Sequence, residues 1–304
     1  ELFSEREIVV NAGINPQNAS PSGQVAVTNG LLSHWKFDET IWNGTVGEIK
    51  DSVASNSGTA RNGALITTGK FNNGAKLDGV NDRLSFGDTP EVENASKMSV
   101  SLWVKPNSLA GDKALVSKVG NTSKGWLLNT YPTNTGTLMF GVCNNPSCSS
   151  NGYAYATAPS LAIGQWTHVV LVYDGTQTIN TNRIKIYVNR ASQPLIFAGT
   201  SIATSLIPTT SNVNVGAYDY GSNYFNGTFD DVRIYNRAIS SLEELANGTF
   251  QEIIVDPVSE VKKITTAVFV SGKLYYELLE EKEKQKKDNI VLIRVEQLYP
   301  FPDK

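Results

Sequence analysis

The stretch Phe225–Ser240, FNGTFDDVRIYNRAIS, decides how the front of this chain is read. Phe229, Asp231, Arg233 and Tyr235 alternate with Asp230, Val232 and Ile234, and a period of two residues predicts a strand. Strict alternation puts Asp230 on the same side as Val232 and Ile234. A carboxylate on an apolar side must be hydrogen-bonded or hold a metal. Asn236-Arg237 closes the strand, and Ser240 or Ser241 caps a short helix, SLEELA.

Working outward, the same period recurs. LLSHWKFDE from Leu31 sets Trp35 and Phe37 on one face. FNNGAKLDGVNDRLSF gives two short strands about Gly79 and Asn81, and KMSVSLWVKP alternates Val100, Leu102 and Val104 against serines and Trp103. KALVSKV, GWLLNTY, GTLMFGV and GYAYATA follow. QWTHVVLVYDG from Gln165 is apolar on both faces, as a central strand of a two-layer structure is. RIKIYVNR and NVNVGAY lead back to the opening stretch. A dozen short strands with Gly, Asn and Pro turns predict a mainly β fold, a two-sheet antiparallel sandwich over residues 30–249. Residues 1–29 carry the Asn, Pro, Ser and Gly mixture of a lead-in linker.

After Thr249 the composition changes. Residues 250–304 hold about a third of the charged side chains in under a fifth of the length. TTAVFVSGK and IVLIRVEQLYPFP read as apolar strands. Between them LYYELLEEKEKQKKD has helical spacing, with Glu280–Lys284 and Glu283–Lys287 one turn apart. That is a small βαβ unit. Gly272-Lys273, between strand and helix, reads as a plain turn in preference to a phosphate site.

The net charge of −3 argues for neither nucleic acid nor an anionic membrane as partner. No run approaches the ~18 apolar residues of a membrane helix. Cys143 and Cys148, in CNNPSC, read as a disulfide pinning a loop, which implies an oxidising compartment; a zinc pair without a histidine cluster is the weaker alternative. Glu91 and Glu93 are the nearest approach to a glycosidase carboxylate pair, but sit in a loop beside Pro90. His34 and His168 are the only histidines. His168 lies mid-strand and reads as structural, with no G-x-S-x-G elbow beside it.

The loop AYDYGSNYFNG brings together Tyr218, Asp219, Tyr220, Asn223 and Tyr224. Aromatic faces stack on sugar rings, and Asn and Asp hold hydroxyls, so these five are the candidate ligand site. The Cys loop adds Asn144, Asn145, Tyr153 and Tyr155. The alternative is that the tyrosines fill the sandwich.

GLLSHWKFDE, ALITTGKFNNGAKLDGVNDRLSF, MSVSLWVKP, QWTHVVLVYDG, IKIYVNR and NVNVGAY…YFNGTFDDVRIYNRAIS, in that order, resemble the laminin-G-like jelly roll of the concanavalin A-like lectin/glucanase superfamily. The resemblance implies two curved antiparallel sheets and a secreted or cell-surface module. Its partner would be a glycan or an extracellular matrix or surface protein. It also implies a structural calcium (Ca2+) where the first and last strands meet, with Asp230 matching the family's carboxylate and Asp38 near enough to join it. The alternative is that Asp230 caps a turn or pairs with Arg233. FQEII, VFVSGKLYYELL and IVLIRVEQLYPFP resemble the C-terminal end of the 2-oxoglutarate dehydrogenase E1 component, whose location is cytoplasmic or mitochondrial. No catalytic residue carries over. The joining of the two reads as a chimera with its junction near residue 249. The expected function is therefore a non-catalytic binding module, with a purely structural spacer, or a catalytically incomplete dehydrogenase fragment, as the alternatives.

Overall fold

The computed structural model describes residues 29–120, 124–131, 135–144, 152–199, 201–239, 253–255, 265–270, 278, 282, 284–285 and 289–295. The chain divides into a compact unit, Thr28–Gly248, and a second unit that contains Thr249–Lys304.

In chain order the strands of the first unit are β1 (Leu31–Trp35), β2 (Thr59–Arg61), β3 (Leu65–Thr68), β4 (Asn73–Asp78), β5 (Arg83–Ser85), β6 (Lys97–Pro106), β7 (Ala114–Val119) and β8 (Lys124–Thr130). They continue as β9 (Leu138–Asn144), β10 (Tyr153–Ala156), β11 (Thr167–Asp174), β12 (Ile184–Val188), β13 (Ala191–Ser192), β14 (Leu195–Ala198), β15 (Asn214–Val215) and β16 (Asn226–Tyr235). They form two sheets of eight strands. The first runs β13-β12-β11-β6-β16-β4-β3, with β1 also on β16; the second runs β14-β10-β9-β8-β7-β15-β5-β2. Every pairing within them is antiparallel.

Alternation explains the core. Val100, Leu102 and Val104 of β6 and Val169, Leu171 and Tyr173 of β11 face inward from the first sheet. Trp126 and Leu128 of β8 and Phe140 and Val142 of β9 face them from the second. Trp35 stacks on Phe86 with ring centroids 3.8 Å apart, and Phe225 meets Phe229 at 4.8 Å. Such aromatic pairs add to the stability that area burial supplies. Lys118 is fully buried among these layers. It is neutralised by Asp88 at 2.5 Å and Glu93 at 2.8 Å and also bonds the Thr209 and Ser211 carbonyls.

β16 departs from strict alternation. Its register against β6 shifts between Asp230 and Arg233, and Asp231 takes a left-handed φ of 52°. This bulge inserts one residue and reverses the faces. Phe229 points into the core before it; Val232 and Ile234 do so after it. Asp230 lies opposite Trp103, outside the core layer, on the face away from Val232 and Ile234. It is buried nonetheless, at 1% exposure.

In the second unit β17 (Ile253–Val255), β18 (Thr266–Val270) and β19 (Ile290–Val295) form one sheet in the order β17-β19-β18. β18 and β19 are parallel, as a strand–helix–strand connection requires, and Leu278, Lys282, Lys284 and Gln285 between them are helical. β17 is an antiparallel addition to that unit.

Candidate functional site

The outer faces of the two sheets carry the remaining chemistry. On the first sheet, β1, β16, β6 and β11 set His34 opposite Arg233, Arg233 opposite Ser101, and Trp103 opposite His168. Asp231, turned outward by the bulge, lies 2.5 Å from His34 Nε2 and accepts from Arg233 at 2.9 and 3.1 Å. Burial raises the Asp231 pKa, but Arg233 and His34 outweigh it and hold the carboxyl below its ordinary value. Burial lowers that of His34 despite its bond to Asp231. The left-handed Asp231 is thus held by charge-assisted bonds that a glycine could not make.

His168 is 2% exposed, and its Nε2 lies 2.9 Å from Ser101 Oγ. Burial, reinforced by Arg233 and Arg190, pushes its pKa down to about 3. Its Nδ1 and the Trp103 indole N–H are buried with no partner among the described residues. A Ser–His pair with no carboxylate on the second ring nitrogen and no access lacks the geometry of a nucleophile and base. Histidine and tryptophan read as structural here, as expected for His168.

Asp230 Oδ2 accepts the Phe71 N–H at 2.8 Å. Desolvation, with Asp231 adding to it, pushes its pKa up to about 7. Asp38 is exposed and accepts the Asn73 N–H at 3.2 Å. The two carboxylates therefore grip the same turn, between β3 and β4, from either side. Their donor atoms suit a hard cation, and a cation there would offset the burial that disfavours the charged form of Asp230. Among the described residues no three or more His, Cys, Asp or Glu side chains gather as a metal site, so the remaining donors would be backbone carbonyls.

The outer face of the second sheet is of a different kind. Tyr153 and Tyr155 of β10 point outward, because Ala154 and Ala156 between them are buried. Tyr131, just past β8, meets their rings edge-on at 5.8 and 5.5 Å, and the two β10 rings stack at 6.2 Å. All three are half-buried. The hydrogen bond that the Tyr153 hydroxyl donates to Tyr131 is the main cause of its raised pKa. Gly141 pairs with both Leu127 and Tyr153. A Cβ at Gly141 would stand in ordinary contact with Tyr153 Cβ at 3.4 Å, Met139 Sδ at 3.7 Å and Leu127 Cδ1 at 4.0 Å, so the glycine lets these side chains close over the strand.

Three strands away, the loop after β15 lies against β7. Ala114 N–H donates to the Asn223 carbonyl and Asp219 N–H to that of Val119, while Phe225 N–H closes the loop onto Gly216. Tyr218 packs on Ala114, Val119, Leu127 and Cys143, bonds Asn129, and has a pKa pushed up to about 12 by burial. Asn129 Oδ1 stays buried with no partner among the described residues. Asp219 accepts from Asn212 and Asn214, and Asn223 donates to the Asp112 carbonyl. Tyr224 is half-buried, and Tyr220 is 44% exposed, with its ring 5.6 Å from Tyr218. Of the five expected residues, Tyr220 and Tyr224 are open to a ligand, whereas Tyr218, Asp219 and Asn223 build the loop. Tyr131 was absent from that expectation; its nearness to the β10 tyrosines arises only on pairing. Cys143 is buried and not free. Cys148, Asn145 and the side chain of Asn144 lie outside the described residues.

The tail is similar to a family described as the C-terminal part of 2-oxoglutarate dehydrogenase, matched over residues 239–304. The E1 component of Haemophilus influenzae is 48% identical over 67 residues, covering 21% of this chain and 7% of that protein. That of Azotobacter vinelandii is 41% identical over 70 residues, covering 23% and 7%. This chain thus spans about 7% of these relatives' length. Among solved structures, domain 4 of AbnA, an extracellular arabinanase from Geobacillus stearothermophilus in complex with arabinotriose, has a TM-score of 0.53 at 20% identity, covering 72% of this chain and 98% of that one. The binding domain of Paraclostridial Mosquitocidal Protein 1 has a TM-score of 0.55 at 15% identity, covering 74% and 53%. These likenesses are of fold. The family model for residues 78–243 spans more than half of the chain, so with its two facing antiparallel sheets the protein belongs to the concanavalin A-like lectin/glucanases superfamily.

Proposed function

We propose that the first unit is a non-catalytic carbohydrate-binding module whose ligand lies on the outer face of the second sheet. The observation that carries this reading is the half-buried group Tyr131, Tyr153 and Tyr155 on the outer face of β8 to β10. Rings held by one another keep their faces in place without a ligand, which lowers the ordering cost of binding. From β10 to β7 is three strand spacings, roughly 14 Å, a span that suits an oligosaccharide better than a single ring. The arabinotriose held by a module of the same fold supports the reading.

Such a module works outside the cytoplasm, where a Cys143–Cys148 disulfide is stable. Calcium, if bound, would be held by Asp230 and Asp38 with carbonyls of the β3–β4 turn, and would neutralise a buried carboxylate and brace that turn. The test is titration calorimetry of the full chain with arabinotriose and a panel of neutral oligosaccharides. Binding that falls about tenfold or more in Tyr155→Ala, with the fold intact, supports the proposal. Absence of binding to any glycan overturns it and leaves the spacer reading.

A further inference from the structure

At the far side of the same outer face, β2 and β5 place Arg61 directly opposite Arg83. Ala60 and Leu84, their neighbours in the chain, are in the core, so both arginines point outward. Like charges directly opposed across two strands repel. Neither guanidinium has a hydrogen bond or ion pair among the described residues, and Arg83 Nε is buried without a partner. The carboxylates nearby in sequence or in the loop are engaged by N–H groups. Asp82 accepts the Asp78 N–H at 3.0 Å. Glu48 accepts the N–H groups of Asn43, Gly44 and Ala60. Asp219 is held by Asn212 and Asn214.

The loop after β15 completes the arrangement. Gly221 has a φ of 77°, and a Cβ built on it would lie 2.6 Å from the Tyr224 hydroxyl and 4.0 Å from Arg83 Nη1. A hydroxyl donor and a guanidinium therefore converge over a bare backbone, beside the exposed ring of Tyr220. Guanidinium forks bind carboxylate and sulfate groups through paired, charge-assisted bonds. A tyrosine hydroxyl adds a neutral donor, and an aromatic ring alongside stacks on the sugar that bears the anion.

We propose that Arg61, Arg83 and Tyr224 form a subsite for the anionic group of an acidic glycan, a sugar carboxylate or a sulfate ester, with Tyr220 against its ring. This rests on the carbohydrate-binding reading and narrows it from glycans in general to acidic ones.

The test compares lactose, 3′-sialyllactose and 3′-sulfated lactose by titration calorimetry on the full chain at low salt. The two acidic forms differ from lactose by a carboxylate-bearing sugar or a sulfate. Whichever binds more tightly names the anion. The expected result is a preference of about tenfold or more over lactose, weakened by added salt. Arg83→Gln and Arg61→Gln should each bring the acidic form to the level of lactose, and Arg83→Lys should restore only part of the preference. Unchanged melting of each variant shows that the fold survives. A chain that binds neutral sugars with no acidic preference, or an Arg83→Gln variant that keeps the preference, overturns this subsite and leaves the carbohydrate reading standing. A chain that binds no glycan of either kind overturns both.

Discussion

The two outer faces of the sandwich have the same strand geometry and opposite destinies. On the first sheet, most polar side chains are paired within the chain and sealed, the Trp103 indole N–H and His168 Nδ1 being the exceptions. His34, Asp231 and Arg233 bond one another, Ser101 holds His168, and Ser99 takes the Arg237 carbonyl and gives its oxygen to the Ile239 N–H. On the second, aromatic rings stand half-open and two guanidinia have no partner among the described residues. Buried charge that is matched belongs to folding; exposed rings and unmatched charge are available for binding. The same side-chain types can therefore be sorted by whether their partners lie within the chain.

That contrast can be broken most forcefully on the first face. Arg233→Ala should lower unfolding free energy by about 3 kcal/mol, because it leaves the buried Asp231 carboxylate with the His34 ring but no guanidinium; a loss under about 1 kcal/mol in urea melts would mean the pair is solvated and the faces are alike. The next effect is pH dependence. The His168 ring is buried neutral, with a pKa pushed down to about 3 in the folded chain against the ordinary 6.5 of an exposed imidazole. The unfolded chain thus binds the extra proton, and this group's stabilising contribution is complete above about pH 6.5 and is lost as pH falls toward 3. Its slope is at most about 1.4 kcal/mol per pH unit. His168→Gln should flatten melting curves in that window.

On the second face the expected sign of the trade is reversed. Tyr155→Ala should cost under about 1 kcal/mol of stability, as half-exposed positions do, while removing most glycan affinity; large destabilisation with unchanged binding would place this face with the first. The smallest effect is calcium. Excess Ca²⁺ should raise the melting midpoint by a few degrees over chelator, since a ligand bound only to the native state stabilises it. Asp230→Asn should abolish that difference, and an unchanged midpoint in the parent protein would remove the site.

Much of this was readable from the letters. Val100, Leu102 and Val104, or Val169, Leu171 and Tyr173, announce their face by period alone. β2, β13 and β14 do not, because two to four residues at a sheet edge are too short a run to display an apolar period. The bulge at Asp231 leaves the letters alternating while the backbone reverses their faces, so the position of Asp230 was misread. In the candidate site, the letters show Tyr153 and Tyr155 without a face; the buried Ala154 and Ala156 that alternate with them decide that they stand outward. That Asn129 would take up Tyr218, 89 positions away, and that Arg61 would face Arg83, depend on register, which a single strand does not state.

The pairing of β1 with β16 has one last consequence. Leu31 lies opposite Tyr235, the Asn236 N–H bonds the Gly30 carbonyl, and Arg237 reaches the carbonyl of Asn29. The polypeptide enters and leaves this domain at a single doorway. A unit closed in this way can be grafted into a loop of an unrelated host without prising the host's own ends apart, and it hangs from the graft as a side branch.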